Sequence, residues 1–455
     1  MISPGPAGSA GGVTLLRCTR CGKGYKVRNW TPASRTACPA CGLGLVPDSL
    51  VPPPPARPVA IGGRRMRVAV GVTAVAVLVG VGIWRLPMLR QMAKAPSDAA
   101  IQANNRALPL MEKKDWDGAI RELDEAIRIT PGYARAYVNR GLAKSGKGDL
   151  AGARADLDDA IRLEPGAPWQ LCERANVRRA QDDLAGAISD CDAALQLNPT
   201  FSQAFRHRGT AKRIQGDRAG ARADFERAIE IDPNDGWAWN GLGLIKADDD
   251  LPGAIAAYEK AMGLIGEHAD LYYNRGQARR EMGKPKEAIA DFDNALRLRP
   301  TDWKALVERG NARAGTGNLK GSLLDYDAAI LIAPKQAKAY ANRGMSHLRM
   351  GNVEKGKADL DEAIRLDPDD DFPWFTRGSV KLDEGDYAGA IEDFQGSLRA
   401  KPEYTRAQMM IGVARHLSGD TQGAIADLEK AQRMATPRFG WRRELDELLR
   451  QLKAQ

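Results

Sequence analysis

From about residue 100 onward the sequence repeats itself, and this periodicity restricts the possible folds more than any other feature of the chain. Each unit reads as two amphipathic helices joined by a Gly-containing turn, and a proline ends the second helix. The interval is 34 residues, except that one interval of 67 residues contains a full and a shortened unit. The marking prolines are Pro131, Pro165, Pro199, Pro233, Pro300, Pro334, Pro368 and Pro402. Because 455 residues are too many for one hydrophobic core, several domains or a repeat array are expected, and the periodicity selects the array.

Small side chains recur at fixed places in the units and indicate how the two helices pack. Glycine recurs in the first helix, as at Gly141 and Gly276, and alanine recurs in the second, as at Ala153 and Ala288. Small side chains let helix axes approach closely, while a larger one such as Phe292 fills the space between pairs of helices. The pattern therefore predicts closely packed helical hairpins.

Residues 100–438 resemble the tetratricopeptide repeat family, because several positions recur together in nearly every unit. The resemblance implies an all-α fold, a right-handed α-solenoid of about ten helical-hairpin repeats. It also implies a concave groove that usually binds peptide segments of other proteins. The polar amphipathic segment 439–455 is expected to form a capping helix that closes the open end of the array.

A regular pattern of opposite charges runs through the units. The first helix carries an arginine at Arg106, Arg140, Arg174, Arg208, Arg275, Arg309, Arg343 and Arg377. The second helix of the same units carries an acid at Glu122, Asp156, Asp190, Asp224, Asp291, Asp325, Asp359 and Asp393. In the fifth unit Leu242 and Ala257 replace both charges, whereas the tenth unit has Ile411 and Asp427. Because the fifth unit loses both together, we predict a partly buried ion pair within each hairpin that fixes the helix register.

The fifth unit is unusual in other ways. It is one residue short, carries Trp237 and Trp239, and has Gly266 where other units have proline. We expect a weaker hairpin here, which bends the solenoid or separates two sub-arrays, 100–235 and 269–438.

Four cysteines near the N-terminus form two CxxC pairs, Cys18 with Cys21 and Cys38 with Cys41, and sixteen residues separate the pairs. Two such turns supply the tetrahedral set of four thiolates that Zn²⁺ favours. Residues 14–46 resemble prokaryotic zinc-ribbon modules found at the N-termini of membrane-anchored proteins. Two disulfides or a redox dithiol are the alternatives, but redox CxxC motifs normally occur singly. We predict a structural Zn²⁺ without a catalytic role, because all four coordination positions are filled.

The rest of the N-terminal part divides by composition. Residues 1–13 are rich in Gly, Pro, Ser and Ala and are predicted to be disordered, and 47–67 form a proline-rich and basic linker. Residues 68–84 are 17 uncharged residues, which predict a transmembrane helix more strongly than a buried core helix. Residues 85–99 would be a juxtamembrane linker.

The charge distribution bears on location and on partners. Residues 1–67 hold ten of the 67 basic side chains and one of the 58 acidic ones, so the remainder of the chain is balanced. The array therefore has no general attraction to nucleic acid. The basic N-terminus favours a cytoplasmic side for it. The sequence thus predicts a single-pass membrane protein of a bacterial inner membrane, with extracytoplasmic repeats.

No catalytic constellation is visible, and the four histidines, His207, His268, His347 and His416, are scattered, so the chain is predicted not to be an enzyme. By family analogy, first-helix side chains line the groove. The candidates are Trp169, Asn176, Arg179, Arg206, Arg213, Trp237, Asn240, Tyr273 and Asn311. Arginines and aromatics suit an extended, partly acidic peptide, which predicts a membrane-anchored protein-interaction scaffold. The alternative function is regulatory or nucleic-acid binding through the zinc ribbon, with the array as a sensor arm. The oligomeric state is not predicted.

The two remaining cysteines, Cys172 and Cys191, fall in opposite helices of one hairpin. One takes a groove-facing place and the other a core-facing place. We therefore expect two unpaired, small apolar residues rather than a disulfide.

Overall fold

The computed structural model describes residues 95–436 and 439–454, together with the backbone of three short strands near the N-terminus. The strands are β1 (Val13–Cys18), β2 (Gly24–Arg28) and β3 (Leu45–Pro47), and they form one antiparallel sheet in the order β2-β1-β3. The strands and the helices belong to two compact units of the chain.

The helical unit contains 21 α-helices in the described residues. The first ten are α1 (Asp98–Glu112), α2 (Trp116–Ile129), α3 (Ala134–Lys147), α4 (Leu150–Leu163), α5 (Pro168–Ala180), α6 (Leu184–Leu197), α7 (Ser202–Gln215), α8 (Arg218–Ile231), α9 (Gly236–Lys246) and α10 (Leu251–Ile265). The others are α11 (Ala269–Glu281), α12 (Pro285–Leu298), α13 (Trp303–Gly315), α14 (Leu319–Ile332), α15 (Ala337–Arg349), α16 (Val353–Leu366), α17 (Asp371–Asp383), α18 (Tyr387–Ala400), α19 (Thr405–Leu417), α20 (Thr421–Met434) and α21 (Arg442–Lys453).

Helices α1 to α20 pair consecutively into ten hairpins, and each hairpin packs against the next. The prediction of an all-α solenoid of about ten helical-hairpin repeats is confirmed for this unit. The three strands lie outside it.

The turn inside the hairpins follows from two adjacent residues. In the second hairpin, Gly148 has φ of +95°, a left-handed conformation that ends α3 without the steric cost of a Cβ. Asp149 follows, and its side chain accepts a hydrogen bond of 2.9 Å from the backbone N–H of Gly152, which caps the start of α4. The same capping geometry starts α6, α8, α18 and α20.

The core consists of small residues and, in nearly every hairpin, one large side chain; the third hairpin has Cys191 at this position. A Cβ added at Gly141 would lie 3.1 Å from the carbonyl oxygen of Ala153 in the partner helix, so the two backbones approach as closely as the sequence predicted. Phe225, Phe292 and Phe394 are almost completely buried between hairpins. Burial of these aromatic rings supplies much of the apolar contact that holds neighbouring units together.

Helix α21 covers the last hairpin. Leu445, Leu449 and Leu452 lie on one face and are buried against a cluster that includes Met409 and Leu428. The opposite face is polar, as a terminal helix of a repeat array requires.

Several predicted segments lie wholly or mostly outside the described residues. They are the disordered N-terminus 1–13, the linkers 47–67 and 85–99, and the transmembrane helix 68–84. The helices of the described ranges run from 11 to 15 residues, and none is long and apolar enough to cross a membrane. A spanning helix needs roughly 20 apolar residues. The prediction of a single-pass inner-membrane protein with extracytoplasmic repeats is therefore wrong.

Candidate peptide-binding groove

The first helices are held in register by the predicted ion pairs. Arg140 donates from Nε and Nη2 to the two carboxylate oxygens of Asp156, at 2.9 and 2.6 Å. Asp156 is buried, and Arg140 is mostly buried beside it. All eight pairs form between the helices of their hairpins. This confirms the prediction and explains why the two charges recur together.

Each of these arginines after the first also reaches back to the preceding hairpin, which the sequence analysis missed. Nη1 of Arg140 donates to Asp124 at 2.6 Å, and Nη1 of Arg343 donates to Asp327 at 2.7 Å. The equivalent contacts in the other units join Arg174, Arg208, Arg275, Arg309 and Arg377 to the hairpin before them. The recurring D-x-D pattern of the second helices, as in Asp291 and Asp293, was the available signal. Burial alone would lower the pKa of Arg140, but its hydrogen bonds to Asp156 and Asp124 outweigh burial and raise the pKa. The pKa of Arg343 is raised in the same way. These guanidinium groups therefore already have their anions within the protein.

A second cation lies four residues further along most first helices and contacts the same buried acid. Lys144 is 2.8 Å from Asp156, and Lys381 is 3.0 Å from Asp393. In the eighth unit this place belongs to His347, whose pKa is lowered chiefly by burial. The tenth unit lacks the first arginine, but its second cation is present: Arg415 lies 3.0 Å from Asp427.

The fifth unit replaces the ion pair with apolar packing. Leu242 is buried in a cluster with Phe225 and Ile245. Outside this cluster, Arg218 and Arg222 of α8 form ion pairs with Asp248 and Asp249 in the loop before α10. The expected weakness of this hairpin stays a prediction.

The groove side of helices α5, α7 and α9 encloses a cavity of about 390 Å³, which we call the central pocket. It is lined by Asn176, Arg179, Arg206, His207, Thr210, Arg213, Phe225, Trp237, Asn240, Gly241 and Leu244. Six of the nine groove residues named from the sequence are among them. Successive first helices bring them together because equivalent positions of neighbouring repeats stack on one side of a solenoid.

The other three predicted residues lie elsewhere. Tyr273 lines a neighbouring cavity of about 530 Å³ that shares Asn240 and Leu244 with the central pocket. Trp169 packs against the core cluster around Val138. Asn311 accepts a hydrogen bond of 2.8 Å from the hydroxyl of Tyr326.

Positive charge in the central pocket is only partly balanced. Nε of Arg206 donates to Asp235 at 2.9 Å. Within the described residues, no carboxylate lies within 4.0 Å of the guanidinium nitrogens of Arg179 or Arg213. Burial lowers the pKa of Arg213, and the nearby charge of Arg179 adds to this effect. The direction for Arg213 is opposite to that of the paired arginines, as expected for a positive charge without a protein anion.

His207 is a functional candidate that sequence reasoning missed, because its neighbours come from other helices. Burial lowers its pKa to about 3, and repulsion from Arg206 and Arg179 contributes. The imidazole is therefore neutral at physiological pH. Burial also raises the pKa of Glu173, although a hydrogen bond with Asn176 and the charge of Arg206 oppose the shift.

The predicted zinc ligands are described only in part. Cys18 is the last residue of β1, whereas Cys21, Cys38 and Cys41 lie outside the described residues. In the part of the chain with described side chains, no group of three His, Cys, Asp or Glu residues is placed to hold a metal ion. Cys172 and Cys191 form no disulfide, as expected. The expectation that Cys172 faces the groove is wrong, because Cys172 is buried and its thiol lies beside that of Cys191.

The stacked hairpins and their groove place the chain in the class of α-solenoid repeat proteins. Models of the tetratricopeptide repeat match more than half of the chain. The matched residues are 109–148, 134–166, 172–236, 269–302, 337–370 and 375–438. The chain belongs to the tetratricopeptide repeat family. Membership supports a role as a protein-interaction scaffold, a class of fold that is typically non-catalytic.

The chain aligns with several solved structures, one of them with a TM-score of 0.50. The Cut9–Hcn1 hetero-tetramer of the APC/C aligns with a TM-score of 0.50 at 13% identity, over 83% of this chain and 82% of that one. Yeast Tom70 aligns with a TM-score of 0.43 at 16% identity, over 78% and 96% of the respective chains. MamA aligns with a TM-score of 0.33 at 24% identity, over 35% and 93%. No curated protein sequence matches the chain.

Proposed function

We propose that the array is a non-catalytic scaffold that binds an extended, partly acidic segment of a partner protein along its first-helix groove, centred on the central pocket. The observation that carries the proposal is the presence of two arginines, Arg179 and Arg213, without a protein anion in a cavity that opens to the groove. Both guanidinium groups are partly removed from solvent, and a desolvated positive charge gains from an opposite charge beside it, so an acidic ligand gains affinity there.

The other lining groups suit a peptide. Trp237 is 39% exposed and offers an aromatic surface for an apolar or aromatic side chain. Asn176 and Asn240 carry amides, which both donate and accept hydrogen bonds and so match the N–H and C=O groups of an extended backbone. The neighbouring cavity, reached through Asn240 and Leu244, gives room for residues on one side of the anchored acid.

The test is binding of the full chain to an array of disordered, acidic peptide segments, followed by anisotropy titration of the best binders. We expect Arg179→Gln with Arg213→Gln to weaken binding by at least tenfold, because charge-assisted hydrogen bonds contribute about 1.5–3 kcal/mol each. Arg433→Gln is the matched control, since Arg433 is exposed on α20 and far along the array. Equal affinities for the double variant and the control would refute the proposed site, and absence of any peptide binding would refute the function.

We also propose a structural Zn²⁺ held by Cys18, Cys21, Cys38 and Cys41. The register of the small sheet supports it. Arg17 pairs with Gly24, the first residue of β2, and Cys18 pairs with Leu45, the first residue of β3. The described strands β2 and β3 therefore both begin beside Cys18, and in the sequence Cys21 precedes β2 by three residues and Cys41 precedes β3 by four. When bound, the ion would crosslink these segments and stabilise a unit that is too small for a substantial core.

Elemental analysis of the purified full chain tests this. We expect one zinc per chain and loss of the metal in Cys38→Ser. A metal-free chain that instead contains two disulfides would contradict the assignment, and Cys172→Ser is the control because that cysteine is buried in the array.

A further inference from the structure

We infer that the central pocket recognises a phosphate group, so that the partner segment is bound in a phosphorylated form. The inference rests on the proposed peptide-binding function and specifies the chemistry of the same site. It starts from a comparison of equivalent positions within the array.

Three arginines occupy the same place near the end of the first helix, Arg179, Arg213 and Arg280. Only Arg280 has an acid from the next repeat, because Nε of Arg280 lies 3.1 Å from Glu308. The residues equivalent to Glu308 in the other two pairs of repeats are His207 and Gly241, both of which line the central pocket. The array therefore contains a closed version of the site, in which the protein supplies the anion, and two adjacent open versions.

The charge of the open site fits a dianion. Arg206 is matched by Asp235, and His207 is neutral, so Arg179 and Arg213 are the two unbalanced charges. The acid of α5, Glu173, is not among the residues that line the cavity, and burial raises its pKa. A phosphorylated side chain carries about −1.5 to −2 charges at neutral pH and accepts several hydrogen bonds. A carboxylate would balance only one of the two guanidinium groups, and arginine forks suit phosphate oxygens.

Nucleic acid is a less suitable source of phosphate. Residues 1–67 hold the whole formal net charge of +9, so the repeats are neutral as a whole and offer no extended basic track. The unbalanced arginines are instead confined to one cavity of about 390 Å³ between three helices. One isolated phosphate on a protein segment matches this arrangement.

The first experiment uses inorganic phosphate and needs no peptide. The full chain, labelled with ¹³C at the histidine rings, is titrated with phosphate at constant ionic strength. We expect the His207 signal to shift saturably while His268, His347 and His416 do not respond. The Arg179→Gln, Arg213→Gln variant should lose at least tenfold in affinity, and Arg433→Gln should not. A weak linear response shared by all four histidines would overturn the inference.

The second experiment compares one peptide series with serine, glutamate or phosphoserine at the anchor position. We expect the phosphoserine peptide to bind at least tenfold more tightly than the serine peptide. His207→Glu, which copies the closed site of Arg280 and Glu308, should abolish this preference, whereas His207→Gln should retain it. Both variants are checked for unchanged melting temperature.

The outcomes separate the two proposals. Peptides that bind equally well with and without phosphate, through Arg179 and Arg213, would overturn the phosphate inference and leave the peptide-binding function in place. Saturable binding of inorganic phosphate without any peptide binding would leave a phosphate site in the central pocket but overturn both the peptide-binding function and the phosphorylated partner segment. Binding of single-stranded RNA more tightly than of the phosphopeptides would also overturn the inference.

Discussion

At the scale of single residues, the charged groups of the array fall into two sets. The arginines that join two hairpins have an anion in each, as Arg343 has in Asp359 and Asp327. In the central pocket, Arg206 pairs with Asp235, whereas Arg179 and Arg213 have no carboxylate within 4.0 Å among the described residues. Both sets are partly removed from solvent, so they differ in whether a protein anion accompanies them. We therefore assign a structural role to the paired arginines and a binding role to the unpaired ones.

The ion pair between Arg343 and Asp359 predicts that the stability effects of mutating its two residues are strongly non-additive. Asp359→Ala leaves Arg343 half-buried with only the exposed Asp327, and should cost roughly 3 kcal/mol of unfolding free energy. Arg343→Leu combined with Asp359→Ala copies Leu242 and Ala257 of the fifth unit, and should cost clearly less than the sum of the single changes. The measurement is urea unfolding of the four proteins of the cycle. Additive losses would contradict the interpretation of the pair as one unit.

His207 predicts a pH dependence of stability. Its pKa is lowered from an ordinary value near 6.5 to about 3. Between these two values the unfolded chain binds a proton that the folded chain does not, so stability falls as the pH falls through this window. From pH 7.5 to pH 4 the wild type should lose about 3 kcal/mol more than His207→Gln, because pH 4 lies about 2.5 units below the unfolded pKa and each unit corresponds to about 1.4 kcal/mol.

Chemical denaturation at the two pH values gives this difference directly. His416→Gln is the control, because His416 lies outside the central pocket at the far end of the array. A pH dependence identical in wild type and His207→Gln would show that the imidazole is not protected from protonation.

The role of a residue could be predicted from the sequence where equivalent positions of different repeats can be compared. The within-hairpin pairs were predictable because unit five loses both Arg and Asp together. The contact from Arg140 to Asp124 was not, because periodicity does not show which of two acids in the D-x-D pattern faces the next repeat. The unpaired state of Arg179 and Arg213 depends on burial and on what three separate helices bring together, and no local pattern reports it.

At the scale of helices, glycine determines how closely α9 approaches its neighbours. A Cβ added at Gly241 would lie 2.3 Å from the ring of Phe225, and one at Gly243 would lie 2.5 Å from the ring of Tyr258. These contacts explain how the fifth hairpin packs without an ion pair. Its aromatic side chains occupy the space that any larger residue would need.

This packing predicts opposite effects of two Gly→Ala changes. Gly241→Ala should destabilise the chain by roughly 1–3 kcal/mol, because the buried ring must move. Gly263→Ala in α10 meets no atom within 4 Å and should stabilise by about 0.5–1 kcal/mol through helix propensity. Thermal unfolding followed by circular dichroism measures both. A stabilising Gly241→Ala would contradict the described packing of α9.

Helix number and order followed from the sequence with little error, because the 34-residue period sets the frame and glycine turns and terminal prolines mark most of the hairpins. The fifth unit was harder to evaluate. Its lost charges indicated weakness, but the compensation by Leu242 and by the contacts of Arg218 and Arg222 involves residues with no counterpart in the repeat pattern.

At the scale of the whole molecule, the chain combines two units with different sources of stability. The repeats are held by contacts between neighbouring hairpins, whereas the small sheet unit lacks the size for a large core. If zinc stabilises the sheet unit, a strong chelator should remove one zinc per chain and leave the helical signal and the melting of the repeats unchanged. Circular dichroism before and after chelation tests this, and a loss of helical signal would contradict the independence of the units.

The prediction of a single-pass membrane protein depended on one segment, the 17 uncharged residues 68–84, which lies outside the described residues. The scaffold assignment depends instead on features that recur in ten units, and both the described hairpins and the family models support it.

The most direct test of the account is hydrogen exchange of the full chain with and without a saturating amount of its best-binding peptide. Binding in the central pocket predicts slower amide exchange in α5, α7 and α9, which line the pocket, and little change in the second helices α14 and α16. Loss of this protection in Arg179→Gln with Arg213→Gln would support the pocket as the anchor. Protection confined to the second helices or to the last hairpins would contradict the central claim, because the peptide would then bind outside the groove formed by these first helices.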